Sequence, residues 1–169
     1  MPAPVFSTPC ATPSGAVVLG CVDGVFVCLS GEDGILLWQH SVGAPIFSSP
    51  CLLPISCPTE SWAVCFGAHD GSVRALSASS GRVLWALSLG GGEVYASPCP
   101  VSPPTSPSST LVVVCTTKGR LSVLRAGDGE VVGEKELGTQ IYSSPVALPG
   151  RGSLIVGCRD DFLCRFDME

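Results

Sequence analysis

The sequence predicts an all-β fold, a partial β-propeller of about four blades, from three observations. An apolar–aromatic–small–small–proline phrase occurs four times, Asp-Gly and Ser-Gly turn signals recur between short β-branched runs, and Gly, Pro or Ser interrupts every stretch long enough for an amphipathic helix. The phrase reads Val5-Phe6-Ser7-Thr8-Pro9, Ile46-Phe47-Ser48-Ser49-Pro50, Val94-Tyr95-Ala96-Ser97-Pro98 and Ile141-Tyr142-Ser143-Ser144-Pro145. Its prolines fall 41, 48 and 47 residues apart. A period of about 40 to 50 residues marks an array of similar units.

Within each unit the phrase is expected to be the innermost strand. A second strand follows in the runs ending Gly20-Cys21-Val22-Asp23-Gly24 and Gly67-Ala68-His69-Asp70-Gly71, in Leu111 to Gly119, and in Leu154 to Asp161. Asp-Gly suits the two positive-φ positions of a type I′ turn, so a hairpin is expected there. The third strand alternates, as in Val73-Arg74-Ala75-Leu76 and Arg120-Leu121-Ser122-Val123-Leu124, the period of a sheet whose faces differ. A second turn at Glu32-Asp33-Gly34, Ser79-Ser80-Gly81 and Gly127-Asp128-Gly129 leads to a fourth strand at Ile35 to Trp38, Val83 to Trp85 and Glu130 to Val132.

Each unit is therefore read as a four-stranded antiparallel meander, and such units stacked face to face around an axis form a propeller. A β-sandwich gives no reason to repeat one strand phrase at one period. The units run from Val5 to Ser41, Ile46 to Ser88, Val94 to Leu137 and Ile141 to Glu169, a single propeller domain over residues 1–169. The fourth unit has room for three strands, and the expectation is half of a larger propeller. Units two and three carry Pro- and Ser-rich additions, Leu53 to Ser61 and Pro100 to Thr110, read as solvent-exposed loops.

Composition narrows the function. Of 169 residues, 46% are hydrophobic and 14% charged, enough for a substantial core. Mean hydropathy is +0.45, yet no run approaches a membrane span. A net charge of −5 and scattered basic residues give no electrostatic basis for nucleic-acid binding. No signal-peptide pattern and no Asn are present, so a cytoplasmic location is expected. The ten cysteines include no Cys-x-x-Cys pair. Cys10, Cys51 and Cys99 each follow the repeat proline, and Cys21 and Cys158 coincide, so all are read as reduced, small hydrophobes in strands.

No residue is assigned a catalytic, cofactor-binding or metal role. His69 aligns with Val22, Thr117 and Arg159 and is read as an exposed turn residue, and His40 as an edge residue. Gly90-Gly91-Gly92 precedes a strand rather than a helix, so it is a flexible connector without phosphate-binding capacity. Neither Lys118 nor Lys135 follows a phosphate-binding glycine loop, and Glu32-Asp33 and Asp160-Asp161 lie in turns. Phe6, Phe47, Tyr95 and Tyr142, and likewise Trp38 and Trp85 with Gly133 as their counterpart, recur at the repeat period and are read as packing.

From Ser48 to Trp85 the order Ser-Ser-Pro, Gly-x-x-Asp-Gly and Ala-Ser-Ser-Gly-x-x-x-Trp resembles the repeats of PQQ-like (quinoprotein alcohol dehydrogenase-like) propellers. Val18 to Gly24, Pro45 to Cys51, Phe66 to Asp70 and Leu154 to Asp161 more specifically resemble the C-terminal propellers of the β-alanine-activating enzymes. That family belongs to the acyl-CoA synthetases of fatty acid metabolism and is also described as non-ribosomal-peptide-synthetase-like. The resemblance implies ATP and phosphopantetheine only for adenylation and carrier domains, whose motifs this chain does not contain, and so no cofactor here. The function expected is a non-catalytic propeller and interaction module of an ATP-dependent acyl- or amino-acid-activating enzyme. The alternatives are a fragment of a quinone-dependent dehydrogenase, against which the missing adjacent cysteine pair argues, and a stand-alone scaffold. Expected partners are the rest of the parent chain, another protein, or a second copy through open blade faces.

Overall fold

The structure, a computed structural model, describes residues 3–57, 60–102, 110–148 and 152–167. Among them are fifteen strands in four antiparallel sheets and no helix. Blade one contains β1 (Cys10–Ala11), β2 (Ala16–Gly20), β3 (Val25–Ser30) and β4 (Leu36–Ser41). Blade two contains β5 (Cys51–Cys57), β6 (Glu60–Gly67), β7 (Ser72–Ser77) and β8 (Val83–Ser88). Blade three contains β9 (Cys99–Val101), β10 (Leu111–Cys115), β11 (Arg120–Arg125) and β12 (Val131–Glu136). Blade four contains β13 (Val146–Leu148), β14 (Ser153–Gly157) and β15 (Leu163–Asp167). Hydrogen-bonded order follows chain order in every sheet, as a meander requires.

The phrase itself is not the innermost strand. That strand starts one residue after each proline, at Cys10, Cys51, Cys99 and Val146. Proline has no N–H to give a ladder, so it closes the connection between blades and the strand begins beyond it. The first strands β5, β9 and β13 are the ones that approach their counterparts in neighbouring sheets, which places them on the inside of the ring.

The first hairpin differs from the expected type I′ turn. Only the glycine has positive φ, +82° at Gly24, while Gly24 N–H donates to the Cys21 carbonyl at 3.1 Å and Cys21 N–H to Val25 at 2.9 Å. This is a three-residue loop, a type I turn followed by a left-handed glycine. The same pair of bonds recurs at Ala68–Ser72 and Thr116–Arg120. In blade four Asp161 takes the glycine's place, with φ 67°.

The Leu53–Ser61 addition is not a loop as predicted. Strand β5 extends through it to Cys57 and β6 starts at Glu60, with Leu53 fully buried. Leu53 and Ile55 join the apolar cluster against blade three, and that burial outweighs the turn propensity of the flanking Pro and Ser. Most of the Pro100–Thr110 addition lies outside the described residues.

Blades stack through three cores. Between blades one and two, Phe26 lies on Phe66 with ring centroids 4.1 Å apart and planes 7° apart, beside Val18, Ile46, Val64 and Leu76. Between two and three lie Leu53, Val73, Trp85, Val94, Val112 and Leu124. Between three and four lie Val113, Leu121, Ile141, Leu154 and Val156. Interior strands are consequently covered on both faces: Val73, Ala75 and Leu76 are all inaccessible, so the alternation read from the sequence separates two neighbours rather than core from solvent.

A register shift recurs in the outer pair of each complete blade, at Cys28/Leu29, Ala75/Leu76 and Val123/Leu124. Next to it, Trp38 and Trp85 cross to the following blade. Trp38 Nε1 donates to the Ala78 carbonyl at 3.3 Å, and Trp85 Nε1 to Ala126 at 2.9 Å. Gly133 occupies this place in blade three.

Candidate functional site

The four phrases converge on the inner mouth of the ring, and each residue in them has a separate task. The first, Ile46, Val94 or Ile141, is buried in the core against the preceding blade. The third is a serine whose Oγ clips the end of the second strand. Ser7 Oγ donates to the Gly20 carbonyl and accepts the Gly20 N–H, both at 3.0 Å, and Ser48 with Gly67 and Ser143 with Gly157 repeat this. In blade three the pair becomes Ala96 and Cys115, hydroxyl and glycine being exchanged together. A Cβ at Gly157 would come within 3.1 Å of Ser143 Oγ, so the hydroxyl and a side chain compete for one space.

The fourth residue links blades in a hydroxyl ladder. Thr8 N–H donates to Ser49 Oγ at 2.8 Å, Ser49 N–H to Ser97 Oγ at 2.9 Å, and Ser97 N–H to Ser144 Oγ at 2.9 Å.

The second residue builds an aromatic ribbon. Successive ring centroids are 5.9 Å (Phe6–Phe47), 4.9 Å (Phe47–Tyr95) and 5.7 Å (Tyr95–Tyr142) apart, within the range of favourable aromatic pairs. His69 enters this ribbon instead of sitting exposed at its turn. Its ring meets Phe47 and Tyr95 edge-on at 5.8 and 5.2 Å, and Nε2 is 3.1 Å from Tyr95 Oη. The cause is backbone geometry shared by all four blades: Val22, His69, Thr117 and Arg159 each donate N–H to the residue preceding a phrase, Pro4, Pro45, Glu93 and Gln140. At two of these positions, His69 and Arg159, the side chain lies beside the aromatics. Arg159 accordingly lies 5.5 Å from the Tyr142 ring centroid, with Nη1 donating to Gln140 Oε1 at 2.8 Å. The internal repeats differ in residue type at this position, and the bond to the phrase accounts for the place of His69 and Arg159 beside the aromatics.

A shallow cleft of about 270 Å³ beside the ribbon is lined by His69, Asp70, Gly71, Ser88, Gly90, Gly92 and Glu93. Its glycines are not a flexible connector as expected. Lys118 N–H donates to the Gly91 carbonyl at 3.1 Å, and a Cβ on Gly91 or Gly92 would meet the hydroxyl of Thr116 or Thr117 at 2.6 Å. The cleft carboxylates are already committed. Burial alone would raise the Asp70 pKa, but hydrogen bonds from Ser72 and Arg74 outweigh it and hold the carboxyl below the usual range. Thr117 Oγ1 donates to Glu93 Oε2 at 2.6 Å and keeps that carboxyl low as well. His69 therefore has Tyr95 as its partner and neither carboxylate behind it, an arrangement that offers stacking faces and a hydrogen bond rather than an oriented base.

Asp23, Asp33, Asp70, Asp128 and Asp160 each accept the N–H two residues ahead, the bond by which aspartate stabilises a turn. His40 pairs with Phe26 between β3 and β4, and burial, aided by Arg74, lowers its pKa. Lys118 is exposed at the blade-three turn and Lys135 lies in β12. Cys10, Cys21, Cys28, Cys51, Cys65, Cys99, Cys115, Cys158 and Cys164 carry free thiols. Burial pushes Cys115 up to about 12 and Cys158 to about 11, the latter helped by Cys164. Such thiols remain protonated and act as packing groups. Among the described residues no cluster of His, Cys, Asp and Glu has metal-binding geometry, and no helix is long and apolar enough to cross a membrane.

Comparison with solved structures shows the same fold. Over 97% of the chain it superposes on 47% of BamB from Moraxella catarrhalis, with a TM-score of 0.71 and 16% identity. It superposes over its full length on 94% of the computationally designed Ika4 protein, TM-score 0.72, and over 97% on 46% of the designed Ika8 protein, TM-score 0.73, each at 16% identity. Among curated sequences, the β-alanine-activating enzyme of Danio rerio is 34% identical over 90% of this chain and that of Drosophila melanogaster 30% over 86%. The human protein of that name is 32% identical over 44% of it. The chain spans only 9% and 10% of the length of the first two. The family model described as "Beta-alanine-activating enzyme, beta-propeller" matches residues 1–168, and the chain belongs to that β-propeller family.

Proposed function

We propose that this chain is a non-catalytic platform of an ATP-dependent acyl- or amino-acid-activating enzyme, holding or presenting other parts of that enzyme at the mouth of the ring. The observation that carries the reading is the family match over residues 1–168, which is to a propeller and not to an adenylate-forming fold. The bonding at the mouth supports it, because Asp70, Glu93 and the phrase serines are used to fix backbone rather than left to act on a substrate. ATP and phosphopantetheine then serve other domains, and the free thiols suit a cytoplasmic setting. With a net charge of −5, nucleic acid and anionic membrane surfaces are not its partners.

The aromatic ribbon favours one second reading, a planar-ligand site such as a quinone-dependent dehydrogenase would need. Both are tested on the purified chain. Pyrophosphate exchange with ATP and β-alanine should stay at background, and catalysed exchange would overturn the platform reading. Titration with pyrroloquinoline quinone and calcium should give no saturable signal, whereas saturable quenching of the aromatic fluorescence would install the second reading.

A further inference from the structure

Blades two and four each lay a side chain of their own against the aromatic of the phrase, and blade three does not. In blade four, the Arg159 guanidinium lies 5.5 Å from the centre of the Tyr142 ring and donates from Nη1 to Gln140 Oε1 at 2.8 Å. In blade two, His69 stands in the place of Arg159 and meets the Phe47 ring at 5.8 Å. In blade three the same three places, turn residue, aromatic and residue before the phrase, hold Thr117, Tyr95 and Glu93. Thr117 has neither a ring nor a cation to set against Tyr95. Its short side chain is turned to Glu93 instead, donating from Oγ1 to Oε2 at 2.6 Å and accepting the Glu93 N–H at 3.1 Å. The acceptor changes together with the donor: where the chain supplies an arginine it meets a neutral amide, and where it supplies none a carboxylate stands. Glu93 and Tyr95 are both partly exposed, inside the array, with a blade packed on either side of blade three. Lys118 is exposed and, among the described residues, makes no ion pair with Glu93.

We propose that blade three takes this group from outside: an arginine side chain of another protein segment sets its guanidinium against Tyr95 and donates to Glu93, as Arg159 does with Tyr142 and Gln140 inside blade four. This deepens the platform reading, and rests on it, by naming the chemistry of what docks at the mouth. A guanidinium is favoured over an ammonium because the flat ion can stack on a ring and bond from its edge at once, whereas an ammonium is a compact point charge. A carboxylate gains more from an incoming cation than an amide oxygen does, since both partners of the bond are then charged. The bond from Thr117 fixes the Glu93 carboxyl and, with His69 and Lys118 nearby, keeps it ionised at neutral pH. The cleft of about 270 Å³ gives the stem of the side chain a way in, with Glu93 and His69 in its wall and no side chain at Gly90 or Gly92 to obstruct it. Asp70 in the same wall is already paired with Arg74 at 3.0 Å, which leaves Glu93 as the carboxylate that can take a new cation. The cleft is too shallow to enclose a small molecule, and suits one side chain of a segment passing over the mouth.

Titration of the isotope-labelled whole chain with the blocked peptide acetyl-Gly-Arg-Gly-amide, followed by NMR, tests this. Saturable shifts are expected at the amides of Glu93, Tyr95 and Thr117, with a dissociation constant in the millimolar range, as befits one charged contact on an open surface. The same peptide with citrulline, which keeps the shape of arginine and loses its charge, should give none, and the lysine peptide should bind more weakly than the arginine one. Glu93→Gln gives blade three the acceptor of blade four. It should leave the circular dichroism unchanged and weaken binding by about tenfold, the loss expected when a charge-assisted hydrogen bond becomes a neutral one. Thr117→Arg supplies the guanidinium from the chain itself and should abolish binding. If that variant fails to fold, Glu93→Gln, at a partly exposed side chain, carries the test. No saturable shift with the arginine peptide, equal shifts with the citrulline peptide, or unchanged affinity in Glu93→Gln would each overturn the arginine site. The platform reading would survive that failure, because it falls to catalysed pyrophosphate exchange, a measurement in which no peptide takes part.

Discussion

At the scale of single residues, the turn positions show how one backbone shape accepts different chemistry. Gly24, Gly71 and Gly119 occupy a left-handed position that Asp161 fills in blade four. A side chain there is disfavoured by roughly 1–2 kcal/mol, partly relieved for aspartate by local hydrogen bonding. Asp161→Gly should therefore raise the stability of blade four by about 0.5–1 kcal/mol, read from the denaturant midpoint. Asp70 gives a pH prediction with a defined sign. Its folded pKa lies below its ordinary value because the bonds from Ser72 and Arg74 outweigh desolvation. Its stabilisation is then complete above the ordinary aspartate pKa near ~4 and is lost as pH falls through the lower folded value. Unfolding followed between neutral pH and acid should show a decline that Asp70→Asn reduces. The Asp-Gly signal itself was legible in the sequence, since aspartate and glycine are both turn formers. The turn type was not, because type I′ and the three-residue loop draw on the same two residues and differ in loop length and in whether the aspartate as well as the glycine has positive φ. His69 escaped for a related reason: its environment is made by a backbone bond from His69 to Pro45, and no local sequence pattern records that bond.

At the scale of strands and their connections, much more could be read, because each element is written several times. Strands two to four of the complete blades fall where β-branched runs and turn residues place them. The exception was the additional segment in blade two, where prolines and serines argued for a loop while Leu53 and Ile55 found a neighbouring blade to pack against. The phrase was displaced by one step, from strand to connection, because its proline ends the link rather than joining the ladder. The tryptophan contact between blades yields a sharp prediction. Gly81 and Gly129 have φ of +71° and +75°, and a Cβ on them would lie 2.5 Å from the Trp38 ring and 2.7 Å from the Trp85 ring. Backbone strain and overlap with a rigid indole act together, so Gly129→Ala should cost about 2–4 kcal/mol by thermal or denaturant unfolding. It should also alter the Trp85 emission. Gly127→Ala is the control two residues away in the same turn, with open space around its Cα, and should cost far less.

At the scale of the whole molecule, the array is held together by its interfaces. Each blade is a thin sheet, and all the largest inaccessible side chains, among them Phe26, Phe66, Ile46, Leu53 and Leu154, lie between sheets. Stability in such a stack is approximately a sum of terms for each unit and each neighbouring contact. The sequence showed the period and hence the number of units, but not which serine bonds which backbone across an interface, since those partners are 41 to 48 residues apart. A core substitution near one end should consequently act locally. Leu154, buried between blades three and four, tests this. Leu154→Ala should cost about 2–5 kcal/mol from lost apolar contact and the cavity left behind. In hydrogen exchange, β13 to β15 should lose protection first, with β10 and β11 next. The amides of β2 and β3 around Phe26, two interfaces away, should keep the protection of the parent chain. Loss of protection in those strands would show that the chain unfolds as one cooperative body rather than as a stack of separable blades.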